Sequence, residues 1–170
     1  MTTMSICLLW LIVVIVYDFR ERRIPNWLVL AGATAALAAL AYGIQPFGIN
    51  WASALLGAGV GFGFLLLFYA FGLMGAGDVK FAGALGLWMG VSDLIPIWIS
   101  ASLMACAHSV LWLTLKGRPF FPRLAFLAFL LTGPFRTSEA GTPTRRPRVI
   151  PYAAYLALAA AAWMVWGRQS

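Results

Sequence analysis

Five carboxylates are spread over 170 residues, Asp18, Glu21, Asp78, Asp93 and Glu139, beside a single histidine, His108. With so few, each acid can be weighed on its surroundings. Glu21 sits among Arg20, Arg22 and Arg23, and Glu139 lies in a polar stretch of Ser, Gly, Thr and Pro; both read as solvated loop charges. Asp93 suits a turn between two apolar runs. Asp18 and Asp78 are different. Asp18 closes a run that carries no charge from Met1 to Tyr17, and Asp78 follows Gly75-Ala76-Gly77 at the start of another apolar segment. An acid at such a boundary is costly unless paired or wetted, which makes it a functional candidate. Taken singly, Asp18 could be a counter-ion to the neighbouring arginines and Asp78 a helix N-cap. Two acids at matching depth, with almost no others in the apolar segments, favour a shared site.

The chemistry open to such a pair is hydrolysis. Two close carboxylates in a desolvated site cannot both ionise cheaply, so one keeps its proton while the other stays charged. The charged partner can take a proton from water, which attacks a peptide carbonyl, while the protonated partner donates to the developing oxyanion. Neither a metal nor a cofactor is required, and no Cys/His cluster has metal spacing: Cys7 and Cys106 are far apart, each inside an apolar run. His108 falls mid-way along an apolar run, where packing within a bundle is a simpler role than membership of a triad. Gly75 and Gly77, lacking Cβ, would let an extended substrate strand approach the backbone beside Asp78.

The elements that must position these acids are apolar. Hydrophobic residues make up 62% of the chain, charged residues 10%, and the mean hydropathy is +0.88. A soluble domain carries about 25% charged residues, so a soluble enzyme, a disordered chain and a secreted disulfide scaffold are excluded. The expected fold is all-α, a polytopic membrane protein of about six transmembrane helices forming a single domain over 1–170. The approximate spans are 4–19, 27–42, 51–74, 78–92, 94–115 and 150–166, with a cytoplasmic basic loop at 116–149. The absence of a positive n-region argues for a retained first span rather than a cleaved signal. Twelve Lys and Arg against five Asp and Glu give +7. Basic residues gather on the cytoplasmic side of membranes. With both termini outside, eleven of the basic residues lie inside and only Arg168 outside, whereas making 124–135 a span in place of 81–92 gives eight to four. The segment 124–135 would then lie on the inner surface or re-enter it. The positive charge is thereby topological, with lipid headgroups rather than nucleic acid as its partner. Gly57/Gly61 and Gly59/Gly63 form two small-xxx-small pairs that permit close helix packing.

Three segments carry a family resemblance. Asp18-Phe19-Arg20-Glu21-Arg22-Arg23-Ile24-Pro25-Asn26, the run Gly75-Ala76-Gly77-Asp78-Val79-Lys80 continuing to Gly90, and Ile150-Pro151-Tyr152 resemble, in order and spacing, the prepilin peptidases. These are GxGD-type intramembrane aspartic proteases of type IV pilus and related secretion systems, and archaeal preflagellin peptidases are their close relatives. Ala153 stands where many members have Gly. The resemblance implies that Asp18 and Asp78 are the catalytic pair. It also implies that Gly75, Gly77, Lys80, Pro25 and Asn26 support the site or bind substrate, and that the substrate is a prepilin-like precursor cut at the cytoplasmic face of the bacterial inner membrane. Larger members carry a cytoplasmic insertion with two Cys-x-x-C pairs and an N-methyltransferase activity. This chain lacks both cysteine pairs, so it resembles the short form of tight-adherence (Flp) pili, and methyl transfer is not expected. The alternative is a small proton-coupled transporter using Asp18 and Asp78 as a relay. A transporter would place its acids nearer the bilayer midplane.

Overall fold

A computed structural model describes residues 2–21, 23–115 and 152–167. Among these the chain is all-helical: α1 (Thr2–Glu21), α2 (Asn26–Ala41), α3 (Trp51–Ala70), α4 (Ala76–Leu115) and α5 (Tyr152–Trp166). The basic loop 116–149, its apolar segment 124–135 and the Ile150-Pro151 pair lie outside the described residues. Thr3–Glu21, Trp51–Ala70 and Ala76–Trp112 are long and apolar enough to cross a membrane, while α2 and α5 are shorter apolar helices.

Local chemistry sets the helix ends. The Pro25 carbonyl opens α2 by accepting the N–H groups of Leu28 and Val29. Asn50 caps α3, its side chain accepting the Ser53 N–H at 2.8 Å. That helix stops at Ala70, short of the expected 74. Gly72, at φ 71°, closes it with paired bonds from its own N–H to Tyr69 and from Leu73 to Phe68.

The 40 residues of α4 would span about 60 Å if straight, twice the hydrocarbon thickness of about 30 Å. The helix breaks at Gly90, whose φ of 71° and ψ of −179° lie outside the helical region. The chain folds back there, because Gly61 on α3 faces both Ala82, eight residues before the break, and Leu94, four residues after it. The turn expected at Asp93 is thus at Gly90, and Asp93 belongs to the second arm. A residue with a side chain would be strained at this φ, and its Cβ would also meet the Ser53 hydroxyl. Gln45 crosses to the break, donating from Nε2 to the Trp88 carbonyl at 3.2 Å.

The first arm of α4 is the hub. Residues 81–90 are buried on every face, as expected of a helix surrounded by others. Gly86 and Gly57 bring α4 and α3 into backbone contact, and Gly61 lies against Ala82. Gly59 and Gly63 meet nothing within 4 Å among the described residues, so of the two glycine pairs it is Gly57/Gly61 that packs against them. Two indoles tie α2 to its neighbours: Trp10 of α1 donates to the Leu28 carbonyl at 2.8 Å and Trp88 of α4 to the Gly32 carbonyl at 3.0 Å. Both donors are buried, where an unpaired N–H would cost about 1–3 kcal/mol.

Candidate active site

Cys7, Leu11, Val14 and Asp18 follow one another at spacings of four, three and four, which places them on one face of α1. All four are buried, so Asp18 continues the core stripe of its helix, while Arg20 is exposed. Asp78 occupies the third position of α4, where an acid can reach back to the exposed N–H at the helix start. It does so, accepting the Gly75 N–H at 3.3 Å, while its own N–H donates to the Gly75 carbonyl. Asp78 is therefore inside the first turn, not at the N-cap. Asp18 and Asp78, at 3% and 7% exposure, are the buried charged residues among those described.

The two acids meet at the start of α5. Asp18 accepts the Ala154 N–H at 2.7 Å, and the preceding Ala153 N–H hydrogen-bonds Asp78. Consecutive N–H groups in the first turn of a helix lie side by side, so they hold the carboxylates as a pair. The first-turn N–H groups of a helix lack intrahelical partners and form the positive end of its dipole, a natural seat for negative charge. The N-terminal ends of α4 and α5 thus converge on the two acids. The arrangement suits carboxylates that must stay oriented while a proton moves between them and a third molecule.

The other residues singled out in the sequence surround the pair. Lys80 Nζ donates to Asn26 Oδ1 at 3.0 Å, joining α4 to the start of α2. Gly77 faces Ile24, directly before Pro25, so the Ile-Pro-Asn and Gly-x-Gly-Asp segments are packed together. Gly75 is exposed next to the Asp78 carboxylate. Glu21 is exposed, Asp93 is half-buried on the second arm and Glu139 is outside the described residues. His108 packs its ring against Tyr155 at 5.7 Å. Among the described residues no three His, Cys, Asp or Glu side chains cluster as metal ligands would. Side-chain types give no sign of the Ala153 and Ala154 amides. The Pro-Tyr pair opening the last helix was the one available signal.

A profile of the type IV leader peptidase family matches residues 5–135. The chain belongs to that family. It is also similar to a prepilin leader peptidase/N-methyltransferase of Xanthomonas campestris pv. campestris, 31% identical over 131 residues, which is 67% of this chain and 43% of the relative. The aligned part is thus less than half of that relative's length. No solved structure matches the chain. Within this member of the type IV leader peptidase family, the matched region holds both Asp18 and Asp78, whereas the α5 amides that grip them lie beyond it. Family membership and the apolar helices together make it a membrane protein.

Proposed function

We propose that this protein is an intramembrane aspartic endopeptidase that removes the leader peptide of prepilin-like precursors. The observation that carries the reading is the juxtaposition of two buried carboxylates on adjacent amides of α5, in a member of the type IV leader peptidase family. In this mechanism one aspartate is protonated and the other charged. The charged one accepts a proton from water as its oxygen adds to the scissile carbonyl, and the protonated one donates to the carbonyl oxygen. Protons then return to the leaving amine as the C–N bond breaks. The Ala153 and Ala154 N–H groups keep both carboxylates aimed, Gly75 leaves room for the peptide backbone beside Asp78, and Gly77 lets the Ile24 segment pack against the start of α4.

The working topology has six spans in the bacterial inner membrane, with α4 supplying two of them through its break at Gly90. The pair then faces the cytoplasm, where the arginines after Asp18 meet anionic headgroups. The pathway is pilus assembly of the tight-adherence (Flp) kind or a related secretion system. Cleavage proceeds without methyl transfer, since the two Cys-x-x-C pairs of the larger family members are missing from the sequence.

The test is co-expression of the protein with a prepilin whose leader ends in Gly. Wild type should shorten the precursor, and Asp18→Asn and Asp78→Asn should not, with all three proteins present in the membrane. Processing by either Asn variant at the wild-type rate removes that aspartate from the mechanism. A reporter fused at residue 140 should report the cytoplasm; an external location refutes the six-span arrangement.

A further inference from the structure

Tyr155 directly follows the amide that holds Asp18, and it is 5% exposed. Its ring is fixed from two sides, by Phe19 of α1 edge-on at 6.3 Å and by His108 of the second arm of α4 at 5.7 Å. Its hydroxyl is buried and has no hydrogen-bond partner among the described residues. Buried polar groups are almost always paired, and each exception calls for a reason. Phenylalanine would keep both ring contacts and avoid the cost of burying the hydroxyl, about 1–3 kcal/mol.

The neighbouring tyrosine shows the contrast. Tyr152 lies one turn earlier on α5, and its hydroxyl is paired with Ser102 at 3.3 Å. Of the two tyrosines beside the aspartates, one is satisfied within the fold and the other is not. Tyr155 lies within electrostatic reach of Asp18, yet Asp18 takes the Ala154 N–H in preference to the phenol. The result is a rigidly mounted donor, next to a carboxylate pair, with no acceptor among the described residues.

We propose that the Tyr155 hydroxyl is a substrate-contacting donor, hydrogen-bonding the carbonyl oxygen of the peptide bond held at Asp18 and Asp78. An extended peptide lying across the two carboxylates presents backbone carbonyls, the acceptor chemistry that the phenol lacks. A donor fixed in place before the reaction gains most when its acceptor gathers negative charge, as the reacting carbonyl does when water adds. The contact forms and breaks no covalent bond, and the proton transfers remain with the aspartates. The inference rests on the peptidase reading above.

The test compares Tyr155→Phe with wild type, Asp18→Asn and Asp78→Asn, all as full chains in membranes, using a prepilin precursor with a leader ending in Gly. Wild type should cleave and both Asn variants should not. Tyr155→Phe should lose kcat/KM by on the order of 10²-fold, while its thermal unfolding midpoint in detergent equals or exceeds that of wild type. Full turnover by Tyr155→Phe beside inactive Asn variants overturns the role of Tyr155 and leaves the peptidase standing. A lowered unfolding midpoint means the hydroxyl serves the fold, and overturns it too. No cleavage by wild type removes the peptidase reading, and this inference with it.

Discussion

Asp18 near the end of α1 accepts the Ala154 N–H near the start of α5 at 2.7 Å, across 136 residues of sequence. The contact couples the end of one helix, where the dipole is unfavourable to an acid, to the beginning of another, where it is favourable. Ala153 extends the same arrangement to Asp78. The candidate site is therefore a property of three helix ends meeting, and each end can be probed separately.

Replacing either acid by Asn leaves a carboxamide oxygen that can still accept the α5 amide. Asp18→Asn and Asp78→Asn should accordingly fold, with unfolding midpoints close to wild type. Their precursor processing should fall by about 10²–10⁴-fold, the usual contribution of a positioned acid or base. Immunoblots of precursor and mature pilin, normalised to membrane-inserted enzyme, measure this.

Gly75→Ala separates crowding of the substrate from crowding of the fold. Gly75 is exposed, and a Cβ there would sit 3.6 Å from Asp78 Oδ2, an ordinary contact, so the folded state has room for it. The variant should unfold at the wild-type temperature while its KM for a prepilin rises, because the added methyl lies at the Asp78 carboxylate, where the strand is bound. Unchanged kinetics would show that the peptide approaches from elsewhere.

Gly86→Ala should behave in the opposite way. Its Cβ would collide with the Gly57 carbonyl, and backbone cannot swing aside as a flexible side chain can. Forcing α3 and α4 apart should cost about 1–3 kcal/mol, the usual range for overpacking. Gly59→Ala, with nothing within 4 Å, should be neutral or slightly stabilising. Thermal unfolding of the two variants in the same detergent gives the comparison.

The Lys80–Asn26 bond is exposed, so its energetic worth is small. A double-mutant cycle of Lys80→Ala and Asn26→Ala should give a coupling on the order of 1 kcal/mol or less in unfolding. If the pair orders the mouth of the site, each single variant should lower processing by more than its stability loss explains, and the double variant should be no worse than either alone.

Much of the fold is legible in residue types. Apolar runs with few charges specify helices for a membrane, and the scarcity of carboxylates isolates Asp18 and Asp78. Helical period puts Cys7, Leu11, Val14 and Asp18 on one face of α1. The other faces are equally apolar, and Leu9, Ile12 and Val16 are exposed, so packing decides that this face is the buried one. The fold-back between the two arms of α4 is favoured at Asp93 by turn propensity alone. It falls at Gly90 because the tight packing against Ser53 and the positive φ both demand a residue without Cβ.

Other features have no signature along the chain. Gly57 and Gly59 are equivalent as letters, and only the docking of α3 on α4 decides that the first is covered and the second open. The amides of Ala153 and Ala154 are the clearest case. Almost every residue carries a backbone N–H, so residue type marks none of them as a ligand for an acid. They acquire that role because α5 starts where α1 ends and α4 begins, with its first-turn donors unspent. Side-chain chemistry and helical period are local and can be read from the sequence. Which helix end faces which acid depends on packing between distant segments, and the tertiary structure alone decides it.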